Sequence, residues 1–334
     1  MKSKPLFLSI NYNLKEKVLI IRFNSIGDIV LTTPVVDALY AKGYEVHYLV
    51  KSSFASLLTP NPNIFKVWEL QSDLSSVIAN LKLEDFDFII DLHNNLRSSK
   101  VKRSLKVKSY TFDKPRIKYF LLTRLGIRLK PEPHIVNRFL SVIKPIVGSV
   151  KNAETTFFFN VFSDKLDLEA LPKSYIVIAV GAAFKTKTIP TDKLAEFINK
   201  CDDEIVLIGG ADDVGNANLV VENSNRKIIN LVGVISLSDS ARVVHKSKML
   251  ITGDTGMMHI GAALDVPMIN IFGSTHQILG YTPFYGKNTN KSTIIENTEL
   301  SCRPCTKQGR DYCPKGHFKC MNAISVDQML NVIQ

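Results

Sequence analysis

The stretch of residues 248–272 constrains the fold of this chain more than any other. An apolar run (Lys248–Thr252) leads through a turn of small and polar residues into a helical segment (256–264), and a second apolar run (Val266–Phe272) follows. Continuous apolar runs are typical of strands that are covered on both faces, and a helix between two such strands is the crossover of a parallel pair. The stretch therefore predicts a βαβ unit, from which parallel α/β sheets are built.

The turn at the start of this helix has the composition of a phosphate-binding site. It contains an acid (Asp254), a hydroxyl (Thr255) and a glycine (Gly256), and His259 follows Thr255 by one helical turn on the same face. The first turn of a helix exposes backbone N–H groups and a partial positive charge, which attract phosphate. The alternative is an ordinary capped helix, with Asp254 or Thr255 as the N-cap and His259 packed in the core.

The same alternation of apolar runs and helical segments occurs in both halves of the 334-residue chain. Because this length is too great for one typical hydrophobic core, we predict two Rossmann-like parallel-sheet domains, residues 1–165 and 166–334, which face each other across a cleft. The polar stretch 151–172 is the predicted linker. The other predicted strands are Lys17–Phe23, Tyr44–Val50, Asp87–Asp91, Tyr175–Val180 and Glu204–Gly209, and the predicted helices are 29–40, 191–200, 238–247 and 256–264.

The excess of positive charge lies in the first half of the chain. Residues 1–160 contain 24 Lys and Arg against 13 Asp and Glu, whereas the rest contains 18 of each. Residues 97–130 alone contain 12 basic residues and a single acid, Asp113. This bias implies an anionic partner, for which nucleic acid, anionic lipid and a phosphorylated glycan are the alternatives. The segment contains no recognisable nucleic-acid-binding module, so we expect no nucleic acid partner.

The N-terminus and the apolar runs predict a cytoplasmic protein. No apolar run approaches the roughly 18–20 residues that are needed to span a bilayer. The first ten residues are basic, but their apolar part is short and lacks a small-residue cleavage site. We therefore interpret them as a short extension.

Asp28 occupies the position in the first half that Asp254 occupies in the second. It follows the first predicted strand and Gly27, at the start of a helix. No G-x-G-x-x-G pattern is present, so the dinucleotide-binding fingerprint is missing. Spacing alone leaves two roles open for Asp28: an N-cap, which stabilises a helix by about 1 kcal/mol, or a general base that projects into the cleft.

Four motifs together resemble glycosyltransferase family nine, the ADP-heptose:lipopolysaccharide heptosyltransferases. They occur in the family's order and spacing, from about residue 17 to the C-terminus. One position departs from the family pattern: Ile189 stands where an aromatic residue usually precedes the proline. The motifs are Arg22-x-x-x-Ile26-Gly27-Asp28-x-Val30-Leu31-x-Thr33-Pro34, the segment 91–98, the segment 181–190, and Asp254-Thr255-Gly256-x-x-His259 with Phe272-Gly273-x-Thr275 after it.

The resemblance implies a GT-B fold and an inverting, metal-independent transfer of a heptose or related sugar from ADP-heptose to the lipopolysaccharide inner core. Asp28 would deprotonate the acceptor hydroxyl. Lys187, favoured over Lys185 because it keeps the spacing to Pro190, would bind the diphosphate. Asp213 would accept from ribose hydroxyls and Ile235 would flank the base, although a turn and plain core packing explain these two residues equally well. The complete donor side would comprise Lys187, Asp213, Ile235, Asp254, Thr255, Gly256, Met257 and His259.

The basic segment would bind the anionic acceptor at the cytoplasmic face of the inner membrane. Lipopolysaccharide inner core and lipid A carry carboxylates and phosphates, which suit such a segment. A solvated helix face is the alternative for most of these basic residues. The predicted acceptor-binding residues are His93, Asn95, Arg97, Lys100 and Arg103, with Lys102 beside them.

Four of the five cysteines form a C-x2-C-x7-C-x6-C cluster near the C-terminus. In a cytoplasmic protein such a cluster favours a metal over disulfides, but this spacing matches known zinc modules only loosely. A structural zinc ion, free thiols and a disulfide all stay open for Cys302, Cys305, Cys313 and Cys320. The resemblance implies no catalytic metal and no required cofactor.

Two other functions stay open at this stage. Another GT-B nucleotide-sugar enzyme, such as a 2-epimerase, would need acids and bases around one bound sugar but no large basic acceptor face. A basic nucleic-acid-binding protein is the alternative from a different class.

Overall fold

The computed structural model describes residues 15–127, 130–159, 166–286 and 291–333. The predicted N-terminal extension lies outside these ranges. So do residues 160–165, which include the predicted domain boundary and the centre of the predicted linker.

The first domain contains a parallel sheet with the strand order β3-β2-β1-β4-β5. Val18 and Ile20 of β1 pack into one core cluster with the helices α2 and α6. Leu19 and Ile21 pack into a second cluster on the other face, which includes Trp68. Because both faces are covered, β1 is apolar after its first residue. The strands are β1 Lys17–Ile21, β2 Glu45–Lys51, β3 Lys66–Leu70, β4 Phe88–Asp91 and β5 Lys108–Thr111, and the helices are α1 Ile26–Val30, α2 Thr33–Ala41, α3 Leu74–Leu81, α4 Leu96–Leu105, α5 Arg116–Leu125 and α6 Ile135–Val147.

The second domain contains a parallel sheet with the order β11-β10-β9-β6-β7-β8. Counted from its first strand, this is the strand order of a dinucleotide-binding fold, although the glycine fingerprint of such folds is missing. The strands are β6 Tyr175–Ala179, β7 Glu204–Ile208, β8 Ile228–Asn230, β9 Met249–Gly253, β10 Met268–Phe272 and β11 Ser292–Glu296, and the helices are α7 Thr191–Lys200, α8 Val214–Glu222, α9 Leu237–Lys246, α10 Gly256–Ala263, α11 Lys319–Asn322 and α12 Val326–Ile333. Short 3-10 turns cover Ser52–Leu57, Lys185–Lys187, Ala211–Asp213 and Gln277–Leu279.

The prediction of one helix over 29–40 is wrong. The chain forms α1 and α2 instead, with a break before Pro34, which lies in the first turn of α2. Proline has no N–H to donate within a helix but suits a helix start. The hydroxyls of Thr32 and Thr33 donate to the carbonyls of Ile29 and Val30 at 2.7 and 2.8 Å, so these carbonyls have partners at the break.

The two sheets place their strand-order reversals on opposite sides of one cleft. In the first sheet the order reverses between β1 and β4, and in the second between β6 and β9. Ligands of open α/β sheets bind beyond the carboxyl ends of the strands at such points. Helix α1 follows β1, helix α10 follows β9, and the two helices lie against each other.

Two glycines permit this close contact between the domains. A Cβ at Gly256 would lie 2.7 Å from Cβ of Ile26, and a Cβ at Gly27 would overlap the imidazole of His259. Glycine is thus required on both sides of the contact because any side chain would push the helices apart.

Candidate active site

A cleft of about 780 Å³ opens between the two domains. Small-molecule sites are typically clefts of about 300–1,000 Å³, so the volume suits a ligand of nucleotide-sugar size. Its lining combines charged side chains of the first domain, small and polar residues of the second domain, and a segment close to the C-terminus. Among the lining residues are Arg22, Asp28, His93, Lys114, Gly181, Lys187, Asp213, Ile235, Asp254, Thr255, Gly256, Met257, His259, Lys307 and Gln308.

Asp28 lies in the first turn of α1, but its side chain does not cap that helix. The N-cap position is Ser25, and no side chain caps α1. One carboxylate oxygen of Asp28, Oδ2, forms an ion pair with Arg22 and accepts a 3.1 Å hydrogen bond from the Ser25 hydroxyl. The other oxygen, Oδ1, is buried and has no hydrogen-bond partner among the described residues. The carboxylate of Asp28 therefore does not act as the N-cap of α1.

The charges around Asp28 hold it in the ionised form. Burial by itself raises the pKa of the carboxyl group. The charges of Arg22 and Lys307 and the Ser25 hydroxyl outweigh burial, so the pKa of Asp28 lies below its usual value. Arg22 is itself fixed, because it donates to the carbonyls of Asn24 and Leu92, both at 2.8 Å.

Two lysines complete a positively charged wall around Asp28. The ammonium of Lys307 lies 4.6 Å from the ring centre of Tyr119 and 5.7 Å from that of Tyr281. Burial lowers the pKa of Lys307, although Asp28 opposes this effect. Burial, followed by repulsion from Arg22 and Lys307, lowers the pKa of Lys114 to about 8. No carboxylate within the described ranges pairs with either lysine, so both can bind an anion.

Arg303 anchors the segment that carries Lys307. It is buried and donates to the carbonyls of Phe272 and Thr275 at 2.8 and 2.9 Å, and to Glu296 at 2.7 Å. These bonds hold the segment at the carboxyl end of β10, where the cleft lies. Sequence reasoning missed Lys307, because a lysine beside the cysteines carries no local signal of a site.

The start of α10 presents free backbone amides to the cleft. Thr255 occupies the N-cap position, but neither its side chain nor that of Asp254 caps the helix. The Thr255 hydroxyl lies 3.0 Å from the Thr252 hydroxyl, and Asp254 Oδ2 forms a 2.9 Å ion pair with Lys187. Thr255 thus takes the N-cap position of the capped-helix alternative and His259 is buried, but no side-chain cap is formed, so the first-turn N–H groups are available for an anion.

His259 is buried at the contact between the domains, on the face of α10 that meets Gly27. Burial lowers its pKa to about 4, although Asp254 opposes the shift. The imidazole is thus neutral at pH 7, and its Nδ1 has no hydrogen-bond partner in the part of the chain that the structure describes.

The other predicted donor residues lie on the same side of the cleft. Asp213 accepts a 2.9 Å hydrogen bond from the Gly210 N–H and lies so close to Gly181 that a Cβ there would overlap its carboxylate. Ile235 and Met257 add apolar lining and pack partly against the core of the second domain. Asp213 therefore both stabilises its turn and faces the cleft.

Comparisons with known proteins show the family of this chain. Residues 74–314 match the sequence model of glycosyltransferase family 9 (heptosyltransferase). The chain belongs to glycosyltransferase family 9. It is 25% identical over 329 residues to lipopolysaccharide heptosyltransferase 1 of Campylobacter coli, covering 89% of this chain and 94% of that relative. It is also 25% identical over 325 residues to the enzyme of the same name from Pseudomonas aeruginosa, covering 89% and 88%.

Solved structures of the family share its architecture. The glycosyl transferase family 9 protein of Veillonella parvula has a TM-score of 0.73 at 19% identity, covering 96% of this chain and 97% of that one. The E. coli heptosyltransferase WaaC with ADP has a TM-score of 0.68 at 19% identity, covering 95% and 98%. The predicted GT-B fold and the predicted family are thus confirmed. The protein is a glycosyltransferase of the heptosyltransferase family of lipopolysaccharide inner-core synthesis, which favours glycosyl transfer over the 2-epimerase and nucleic-acid-binding alternatives.

Of the predicted acceptor residues of this glycosyltransferase, the structure brings only His93 to the cleft. Burial lowers the pKa of His93 to about 4, and its ring packs edge-on against Phe23 at 5.0 Å. Asn95 instead caps α4, where it accepts from the Ser98 N–H at 2.9 Å. Arg97 lines a separate pocket of about 270 Å³.

Lys100 and Arg103 are exposed on α4, outside the cleft. The physical reason is that His93, in the loop before α4, is near enough to interact with the charge of Asp28, whereas α4 carries the basic residues on the protein surface. Lys102 is bound to the buried Asp91 at 2.9 Å and supports the fold.

The cysteine cluster supports the packing of the C-terminal segment. The Cys305 thiol lies 3.8 Å from the Ser274 carbonyl, and Cys320 is buried in the core of the second domain, which raises its pKa to about 11. The Sγ of Cys302 lies 3.9 Å from Nε2 of His317. Within the described ranges, all five cysteines are free thiols and no three His, Cys, Asp or Glu side chains are arranged to hold a metal ion.

Proposed function

We propose that this protein transfers a heptose from ADP-heptose to a hydroxyl of the lipopolysaccharide inner core, with inversion and without a catalytic metal. One observation carries the proposal: Oδ1 of Asp28, which has no hydrogen-bond partner within the described ranges, lines the same cleft as the start of α10, where no side chain caps the helix. A base and an anion site thus line the same cleft. The names of the relatives support the acceptor, and structures of the E. coli enzyme WaaC with ADP and with ADP-2-deoxy-2-fluoro heptose support the donor.

Asp28 would act as the general base. The acceptor hydroxyl would donate to Oδ1 while Arg22 and Ser25 hold Oδ2 in place. As the hydroxyl oxygen bonds to the anomeric carbon, its proton passes to Asp28, and the bond to the diphosphate breaks on the opposite face of the sugar. The lowered pKa keeps Asp28 ionised at neutral pH, and the acidity of the hydroxyl rises as the new bond forms, so a weak base suffices.

The second domain would stabilise the leaving diphosphate. Lys187 lies beside the start of α10, and the N–H groups of Gly256 and Met257 with the Thr255 hydroxyl supply further donors. Charge-assisted bonds of this kind are strongest where negative charge grows in the transition state. Lys187 and the helix start together supply the positive charge that the departing diphosphate needs, and for this reason we propose no metal in the reaction.

Other cleft residues would bind the two substrates. The carboxylate of Asp213 would accept from ribose hydroxyls, and Ile235 would contact the base. On the acceptor side, Lys114 and Lys307 would bind a carboxylate or phosphate of the inner core, with neutral His93 as a hydrogen-bonding group. This assignment replaces the exposed basic residues of α4 with cations that line the cleft.

The reaction would take place at the cytoplasmic face of the inner membrane, because its acceptor is attached to lipid. None of the helices within the described ranges is long and apolar enough to cross a bilayer.

A donor screen tests the proposal. Thermal shift with ADP-, UDP-, GDP- and dTDP-sugars should show stabilisation by ADP-heptose above the others, because a bound ligand stabilises the folded state by mass action. Transfer to purified inner-core acceptor should continue in EDTA, and NMR of the product should show the anomeric configuration opposite to that of the donor. Preference for another nucleotide would overturn the donor assignment, and retention of configuration would overturn the role of Asp28.

A further inference from the structure

Helix α5 is apolar on both faces, and the protein covers only one of them. Tyr119 and Leu122 are buried and pack with Leu279, which lines the cleft. On the opposite face Ile117 is 78% exposed and Phe120 is 57% exposed. Leu125, at the end of the helix, is 59% exposed, and Ile127 follows at 45%. Surface helices usually have a polar outer face, so this row of apolar side chains needs a partner.

The charge around this face indicates the partner. Residues 114–127 contain four Lys and Arg and no acidic residue, and one of the four, Lys118, pairs with Glu132. Arg124 is exposed on the same face as Phe120. The start of α5 also lies against the loop before α4, since Arg116 donates to the Asn94 carbonyl at 3.3 Å. Beyond that loop, Leu96 is 88% exposed, and Arg97 and Lys100 extend the basic surface.

We propose that α5 is an interfacial helix that docks the enzyme on an anionic lipid bilayer. Exposed apolar side chains among Lys and Arg match the boundary between anionic headgroups and acyl chains. A second copy of this chain suits the face less well, because a symmetric contact would bring basic residues against basic residues. Docking through the outer face would leave the inner face of α5 beside the cleft, close to the headgroup layer.

The proposal rests on the proposed function for its purpose, because a lipid-linked acceptor must reach the cleft. Lipid binding, however, can be measured without either substrate. The two ideas can therefore fail separately.

Vesicle co-sedimentation tests the docking with the full chain. The protein should bind vesicles of phosphatidylcholine with phosphatidylglycerol, bind weakly to phosphatidylcholine alone, and dissociate at high salt. The double variant F120S/L125S should lower the partition coefficient by about tenfold or more, because two exposed apolar side chains no longer enter the bilayer. The matched control F65S/L83S changes one aromatic and one aliphatic side chain, 66% and 81% exposed, elsewhere on the first domain, and should bind as the wild type does.

The docking would be overturned if the wild type did not bind anionic vesicles, if F120S/L125S and the wild type bound equally, or if neutral and anionic vesicles bound equally. If the wild type bound no vesicles and formed a dimer that F120S/L125S did not form, the face would instead contact a second copy of the chain. Circular dichroism checks that both double variants are folded.

A second measurement, of sugar transfer, separates membrane docking from catalysis. F120S/L125S should transfer sugar normally to a deacylated, water-soluble acceptor but slowly to acceptor in vesicles; equal losses on both would argue against docking. If neither protein transfers any sugar while the vesicle results hold, only the proposed function fails.

Discussion

The two sides of the cleft have the same backbone plan and opposite electrostatics. On each side a buried central strand ends at the reversal of strand order, and a helix with a glycine in its first residues follows. In the first domain the helix carries a carboxylate, Asp28, among the cations Arg22 and Lys307. In the second domain the acid Asp254 is paired with Lys187, and the helix start itself is uncapped.

Under the proposed function, this difference would let one repeated fold bind two different substrates. The topology decides where ligands bind, because the carboxyl ends of the strands are the open edge of each sheet. The charged side chains decide what binds there. A buried carboxylate with one free oxygen suits a hydroxyl that must lose its proton, whereas free amides and a lysine suit a diphosphate. Four substitutions test this division, from the largest expected effect to the smallest.

Asp28→Asn removes the base and should lower kcat by about 10²–10⁴-fold, the usual contribution of general base catalysis. The affinity for ADP, measured by calorimetry, should stay unchanged, because Asp28 belongs to the acceptor side. Asp113→Asn is the matched control, an exposed acid of the same domain whose loss should change neither quantity. Full activity in Asp28→Asn would contradict the assignment of Asp28 as the general base.

Lys187→Ala should weaken ADP binding by about 10- to 100-fold, because a charge-assisted hydrogen bond is lost and Asp254 is left without its partner. The control is Lys185→Ala, which removes an exposed lysine of the same 3-10 turn. Calorimetry measures both affinities. A loss of acceptor binding with unchanged ADP affinity would reverse the roles of the two domains.

Lys307→Met should raise the KM for the acceptor by about five- to tenfold and leave the affinity for ADP unchanged, because one charged hydrogen bond to the acceptor anion is lost. Lys315→Met, at an exposed position of the same C-terminal segment, is the control. Steady-state kinetics with each substrate varied in turn gives both constants. A change in the affinity for ADP with an unchanged KM for the acceptor would assign Lys307 to the donor site instead.

The pH dependence of acceptor use gives the smallest effect. Because the pKa of Lys114 is lowered to about 8, the lysine loses its charge as the pH rises through that value, and kcat/KM for the acceptor should fall severalfold above it. Asp28, with a pKa below its usual value, stays ionised on the acid side down to that lower pKa. Lys114→Arg should abolish the alkaline decrease, because arginine does not titrate in this range. An unchanged decrease in that variant would assign it to another group.

Much of the fold could be predicted from local pattern. The central strands β1, β6, β9 and β10 are predominantly apolar because both of their faces are buried, and the sequence predicts each with bounds close to those observed. The edge strands β3, β5, β8 and β11 were not predicted. These strands mix polar with apolar residues and are partly exposed, so they carry no long apolar run.

Positions directly after the central strands could also be predicted from the sequence. Asp28 and Thr255 follow such strands, so their place at the open edge of a sheet depends only on neighbouring residues. The sequence by itself thus determined the two parallel-sheet domains and the family, and it placed Asp28 and Thr255 at the open edges of the two sheets. Its positive charge also indicated an anionic partner.

Only the tertiary structure decided which of the many basic residues face the cleft. Arg97, Lys100 and Arg103 belong to the most basic segment, yet α4 carries them along the surface. Lys307 lies beside Asp28 although the two residues are far apart in the chain, because Arg303 fixes the C-terminal segment against β10. The number of charged residues can be counted from the sequence. Which of them face the cleft depends on the packing of helices and on hydrogen bonds between distant segments.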